Sequence, residues 1–190
     1  MRPIKKIAIA LLAATSLPAA TAVAATLGGI DYATQYDYRE FYTAVDHKTF
    51  RADLRGNPFP GLTPEDTAQR LLPVMQANKP IPPLTFTYAV PAEKPHPDYR
   101  VVVIFNPAND LGADGVCATG QVRHKPQTPG KVYLFGIYCR NDQALSQTTG
   151  WVVAATPEDP AVGNLFKDLF ATLFDPSPAF LPQHGKVDFR

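Results

Sequence analysis

Proline constrains this chain more than any other residue type. The sequence of 190 residues holds 20 prolines, and only Pro3 and Pro18 fall within the first 25 positions. The remaining 18 give the rest of the chain about twice the usual share of roughly 5%. Proline has no amide proton and a fixed φ, so it belongs in turns, in first helical turns and on sheet edges. Hydrophobic residues nevertheless make up 45% of the chain, too much for a disordered polymer. The two facts together predict short strands and helices, joined by stiff connections, around a core.

The N-terminus reads as a secretory signal. Arg2, Lys5 and Lys6 form a basic lead, residues 7–14 are an uncharged apolar run, and Pro18 breaks it before a stretch of small residues ending at Ala25. Both Ala22-Val23-Ala24 and Val23-Ala24-Ala25 satisfy the small-residue cleavage rule. Residues 1–25 are thus read as a signal peptide and residues 26–190 as a single mature domain. A retained anchor is the alternative, but a spanning helix wants about 20 apolar residues and this run is shorter. No twin arginine and no nearby cysteine is present, which points to Sec-type export without lipid attachment.

Charge narrows the choice of partners. The leader carries three of the 18 basic residues and none of the 17 acidic ones, so the mature chain is close to −2. Nothing resembles the basic stripe that a phosphate backbone requires, and a nucleic-acid partner is excluded.

The two cysteines, Cys117 and Cys139, read as a disulfide in an oxidising compartment. A turn-rich stretch at residues 125–130 is centred near residue 128. Antiparallel strands folded about that centre would set Cys117 directly opposite Cys139, within disulfide reach.

Elsewhere the periodicity speaks locally. Residues 49–55 alternate, with Phe50, Ala52 and Leu54 on one face, and predict a half-buried strand; residues 39–45 would pair with it through a turn at residues 46–48. Residues 84–90 alternate too, while residues 100–105 are apolar on both faces, as in a central strand. Thr63-Pro64-Glu65-Asp66 opens a helix that Pro73 must kink or end. Residues 142–148 read as a short helix capped by Asn141, and residues 151–155 as a short strand. Val162, Leu165, Phe166, Leu169, Phe170, Leu173 and Phe174 form the clearest helical stripe in the chain. Residues 26–37 show no clear period. The fold class expected is α+β: a mixed, mainly antiparallel sheet of about six or seven strands with two principal helices on one face, and one disulfide.

No catalytic constellation is legible. His47, His96, His124 and His184 sit in turns, proline-rich connections or the tail, without metal-ligand spacing, and Ser146 and Ser177 lie in no Gly-x-Ser-x-Gly elbow. Asn106, Asn109, Asp110 and Asp114 make an oxygen-rich loop that lacks the spacing of an EF-hand. No cofactor or metal is expected. The aromatic group Tyr32, Tyr36, Tyr38 and Tyr42, with Phe59 between two prolines, supplies candidate contact residues able to stack on sugars or anchor a partner.

Gly-Asn-Pro-Phe within residues 50–61, and Tyr-Cys-Arg-Asn followed by Ala-Leu-Ser within residues 135–150, resemble segments of uncharacterised exported proteins from proteobacteria. The resemblance implies a Gram-negative envelope and a periplasmic address, and it carries no activity or site residue. The reading is then a non-enzymatic periplasmic binding or assembly module, partnered by an envelope protein or a cell-wall component and without a membrane span once the leader is removed. The alternatives are release into the medium and, for function, a hydrolase whose carboxylates come together from distant positions; a calcium-dependent surface protein is a third reading.

Overall fold

The computed structural model describes residues 24–178. The expected leader up to residue 23, and the tail from residue 179 with His184, lie outside them. In chain order the elements are β1 (Thr26–Tyr32), α1 (Tyr38–Val45), β2 (Thr49–Arg55), α2 (Pro64–Ala77), β3 (Thr85–Thr87), β4 (Tyr99–Phe105), α3 (Ala113–Thr119), β5 (Lys131–Arg140), β6 (Gln143–Val153) and α4 (Pro160–Leu173). The strands form one six-stranded sheet in the order β1-β6-β5-β4-β2-β3. Three neighbouring pairs are antiparallel, and β4-β2 and β2-β3 are parallel. The class is α+β with a mixed sheet, as the alternation of short elements predicts.

One face of the sheet carries the main core. α4 starts where Asp159 accepts from the Ala161 amide and Pro160 takes the first helical position. Its stripe of Leu165, Phe166, Leu169, Phe170 and Leu173 is fully buried. Phe41 of α1 stacks on Phe174 with ring centroids 4.0 Å apart, and Phe50 and Tyr138 close round them edge-on. α2 and α4 both lie on this face, in one cluster with residues of β2, β4, β5 and β6. A second, smaller cluster on the opposite face joins α3 to Val102, Ile104, Phe135, Ile137 and Cys139.

The free carbonyls at the end of α4 explain part of the aromatic lead-in. The last turn of a helix leaves acceptors without intrahelical partners. Here Tyr32 Oη donates to Thr172 O, Ser146 Oγ to Leu173 O and, just beyond, Tyr36 Oη to Asp175 O. Burial of these rings makes the phenols weaker acids and raises their pKa, Tyr32 to about 12 with Asp175 adding to the effect. Burial likewise pushes Tyr36, Tyr88 and Tyr138 well above the usual phenol range. The folded state therefore holds these phenols neutral. Their contribution is whole below the unfolded value of 10.0 and is lost as pH climbs towards about 12. Urea midpoints should fall steeply over that alkaline window, and the share of the ultraviolet phenolate signal that belongs to these buried rings should rise only together with unfolding. A midpoint unchanged across the window would refute the burial argument.

Several local expectations are corrected. Residues 39–45 are helix rather than strand: Asp37 caps the Arg39 amide, and Phe41 and Val45, four apart, share the buried side. The expected helix at residues 142–148 is instead a turn residue, Asp142, followed by strand from Gln143. Asn141 takes a left-handed φ of 54° and turns β5 directly into β6, pairing Arg140 with Gln143. The expected strand at residues 151–155 is accordingly the end of a longer one. Residues 26–32 are an edge strand whose period is masked by a register shift between Gly28 and Asp31. Only Thr85–Thr87 of the predicted strand at 84–90 pairs, and Val90 is left exposed. Pro73 does not end α2, which runs on to Ala77; it lies on the exposed side, where the carbonyl it orphans is open to solvent.

The disulfide forms, but not across a hairpin. Cys117 lies on α3 and Cys139 on β5, with Cα atoms 5.7 Å apart. The stripe Ala113, Val116 and Cys117 has helical spacing, and Gly120 ends the helix at φ 69°. β5 pairs with β4 and β6 instead, so the staple ties a helix to the sheet face beneath it.

Gly56 closes β2 at φ 81°, where a Cβ would stand 2.9 Å from both Phe105 O and His124 Cε1. The His124 ring is itself hydrogen-bonded to that same carbonyl through Nδ1 at 2.8 Å. Gly56→Ala is expected to cost about 1–3 kcal/mol, from the left-handed backbone and the backbone clash together. Chemical denaturation that detects no loss of stability would contradict this.

Candidate functional site

Asp98, Arg100, Arg51 and Asp53 form the most buried charged group among the described residues. Asp98, 1% exposed, meets Arg100 at 3.2 Å, Arg51 at 3.4 Å and Lys94 at 3.7 Å. Arg100 also donates to the carbonyls of Cys117 and Asn141. Its guanidinium is pulled below its ordinary value by burial and held up by Asp98. Every strong acceptor here is committed to a cation. The network joins β2, β4, α3 and the β5-β6 turn, and it serves architecture.

The surface offers three larger concavities. One, of about 410 Å³, is lined by Phe59 and by prolines and glycines of three loops. A second, of about 650 Å³, lies between α2 and α4 beside the Arg70–Glu158 ion pair. The third, also of about 650 Å³, is a polar groove where the end of β1, the start of β6 and the N-terminal part of α3 meet. Asp31, Gln35, Asp114, Gln143 and Gln147 bring carboxylates and amides to its wall, and no Lys, Arg or His lines it.

Those groups are only partly used. Gln147 Nε2 donates to one oxygen of Asp31 at 3.1 Å, and one oxygen of Asp114 takes the Ala144 amide at 3.1 Å. Asp31, Gln35, Asp114 and Gln143 are exposed. The Ser146 hydroxyl, though in the lining, is spent on Leu173 O.

Beyond the Asp31–Gln147 pair the same face of β6 runs on through Thr149 to Trp151. Alternation along the strand keeps these side chains together, while Thr148, Gly150 and Val152 turn to the core. The floor beside Thr149 is Gly28 and Gly29 of β1; a Cβ on either would reach nothing nearer than Thr149 Oγ1 at 3.6 Å. Trp151 stands directly across from Tyr133 of β5. Each ring is half-buried and has an ammonium over its face, Lys131 at 4.1 Å from Trp151 and Lys125 at 4.2 Å from Tyr133. Such a pair is worth about 0.5–1 kcal/mol when exposed, a cap that an incoming ligand displaces readily.

The aromatic residues singled out from sequence have a different fate. Tyr32, Tyr36 and Phe59 are buried, at 7%, 6% and 4% exposure, because their rings complete the core and two of their hydroxyls serve the end of α4. Tyr38 is half-buried and donates to Ile81 O, which leaves Tyr42 as the exposed member. The oxygen-rich loop does not converge: Asn109 accepts from Lys125, Asp110 pairs with Arg123, Asp114 turns to Ala144, and Asn106 is buried. Among the described residues no group of three or more His, Cys, Asp or Glu is placed to hold a metal ion. Sequence reasoning passed over Trp151, Gln147 and Asp31, and the signal that marks them is strand pairing rather than spacing.

No family model matches this chain, and no curated protein does. Among solved structures, a PelC variant dodecamer from Paraburkholderia phytofirmans is 9% identical with a TM-score of 0.40, over 81% of this chain and 99% of that one. A second PelC dodecamer from the same organism is 9% identical with a TM-score of 0.39, over the same shares. Likeness of this degree says nothing about what this chain binds.

Proposed function

We propose that the chain is a non-catalytic binding module of a Gram-negative envelope, exported by residues 1–25 and acting in the periplasm as the mature domain 26–190. One observation carries the reading. The groove presents exposed, partly unsatisfied carboxylates and amides, whereas the buried carboxylate, Asp98, is neutralised by cations and lies outside its lining. Burial away from cations is one way to bring a carboxyl into the range of a general acid, and the carboxylates of the groove are exposed instead. The paired cysteines and the apolar leader support export, as does the resemblance to exported proteobacterial proteins. Among the described residues no helix is long and apolar enough to cross a membrane.

A photo-reactive residue at position 35, in place of the exposed Gln35, is expected to capture an envelope component in the native cell. Turnover of a substrate by the purified protein, lost in both Asp31→Asn and Asp114→Asn, would replace this reading with a hydrolase. Those two residues line one groove and are the natural pair for that alternative.

A further inference from the structure

We infer that the strip from Trp151 to the polar groove binds an uncharged saccharide chain, laid along the exposed face of β6 and β1. The inference rests on the binding-module reading and names its ligand. Three features of the strip converge on this chemistry. Trp151 offers an aromatic face against which the apolar side of a sugar ring packs, once Lys131 swings aside. Gln147 and Asp31 are bonded to one another and the Thr149 hydroxyl donates to Gly28 O, but the carboxylate, amide and hydroxyl oxygens keep acceptor capacity for sugar hydroxyls. Gly28 and Gly29 leave the floor between them free of side chains, so a ring can rest on the backbone.

Length and charge restrict the ligand further. Trp151 lies four steps along the strand from Gln147, roughly 14 Å, and the groove extends the track beyond them. This suits a chain of several rings rather than a single sugar. Lys131 and Asp31 lie at opposite ends of the strip, and the groove holds two carboxylates with no cation in its lining. The carboxylates of the groove disfavour an anionic polymer such as a uronate or a nucleic acid, and Lys131 at the other end disfavours a polycationic one, which leaves a neutral glycan.

Trp151 is the sole tryptophan in the sequence, so intrinsic fluorescence reports this site directly. Titration of the full mature protein with chitohexaose and cellohexaose is expected to shift or quench that emission saturably with at least one of them, and polygalacturonate is expected to leave it unchanged. Calorimetry with the better ligand should find binding weakened about tenfold or more by Trp151→Ala, and several-fold by Asp31→Ala. Asp31 is exposed on an edge strand, so its variant tests the site even if the tryptophan variant misfolds. The inference is overturned if neither oligosaccharide changes the emission, if polygalacturonate binds more tightly, or if Asp31→Ala and a folded Trp151→Ala both bind as well as the parent. Cross-linking from position 35 to a protein alone, with no glycan binding, would remove the saccharide and leave the binding module standing. Turnover dependent on Asp31 and Asp114 would remove both.

Discussion

Asp98→Ala is expected to destabilise the protein by about 3–5 kcal/mol, because it leaves Asp53 as the one carboxylate facing the two largely buried guanidinium groups of Arg100 and Arg51. For a domain of this size that corresponds to a fall in melting temperature of roughly 6–20 °C. The cause is the uncompensated charge rather than lost attraction, since buried pairs gain little over well-packed apolar groups. A double variant, Asp98→Ala with Arg100→Met, should therefore recover part of the loss. If the double variant is less stable than the sum of the two single changes, or if Asp98→Ala melts with the parent, the buried network does not have the role assigned to it.

Removing the Cys117–Cys139 bond, by paired serine substitution, is expected to cost about 3 kcal/mol for a loop closed over 22 residues. The local consequence should be sharper than the global one. α3 has seven residues and no side-chain cap at its N-terminus, and such a helix does not persist alone. Its other anchors are the small apolar cluster and the Arg100 bond to Cys117 O. Hydrogen exchange in α3 should accelerate before that in β5, while α4 stays protected. A melting temperature within about a degree of the oxidised form, with α3 still protected, would show the bond to be dispensable.

The two results also bear on the groove. α3 supplies Ala113 and Asp114 to its wall, and the staple and Arg100 both hold α3 to the sheet. Loss of either should loosen the groove without touching Trp151. Ligand affinity in the disulfide-free variant is thus expected to fall less than in Trp151→Ala.

Much of the scaffold was legible because its signals are local. The stripe of α4, the Thr63–Pro64 opening of α2, the alternation of β2 and the apolar run of β4 each depend on neighbours within a few residues. The errors arose where one local pattern admits two structures. Phe41 and Val45 fit a helix as well as a strand, and Asn141 serves a tight turn as readily as a helix cap. The cysteine pairing was right in identity and wrong in setting, because bond formation constrains distance and not the elements that bring the sulfurs together.

The candidate site was not legible at all. Asp31, Asp114 and Gln147 meet only because β1 returns to pair with β6 at the sheet edge while α3 crosses the face beside them. No spacing rule links positions so far apart. The converse holds for Tyr32, Tyr36 and Phe59, whose chemistry suits contact with a ligand but whose burial depends on where α4 ends and how the loops close over the core. The amino-acid order by itself determined the class of fold, the identity of the bonded cysteines and the helix that seals the main core, since these follow from short-range periodicity and from sulfur chemistry. Tertiary structure alone decided which aromatic rings face water and which carboxylates share a groove, because exposure and convergence are set by strand order, and strand order joins residues that the chain keeps far apart.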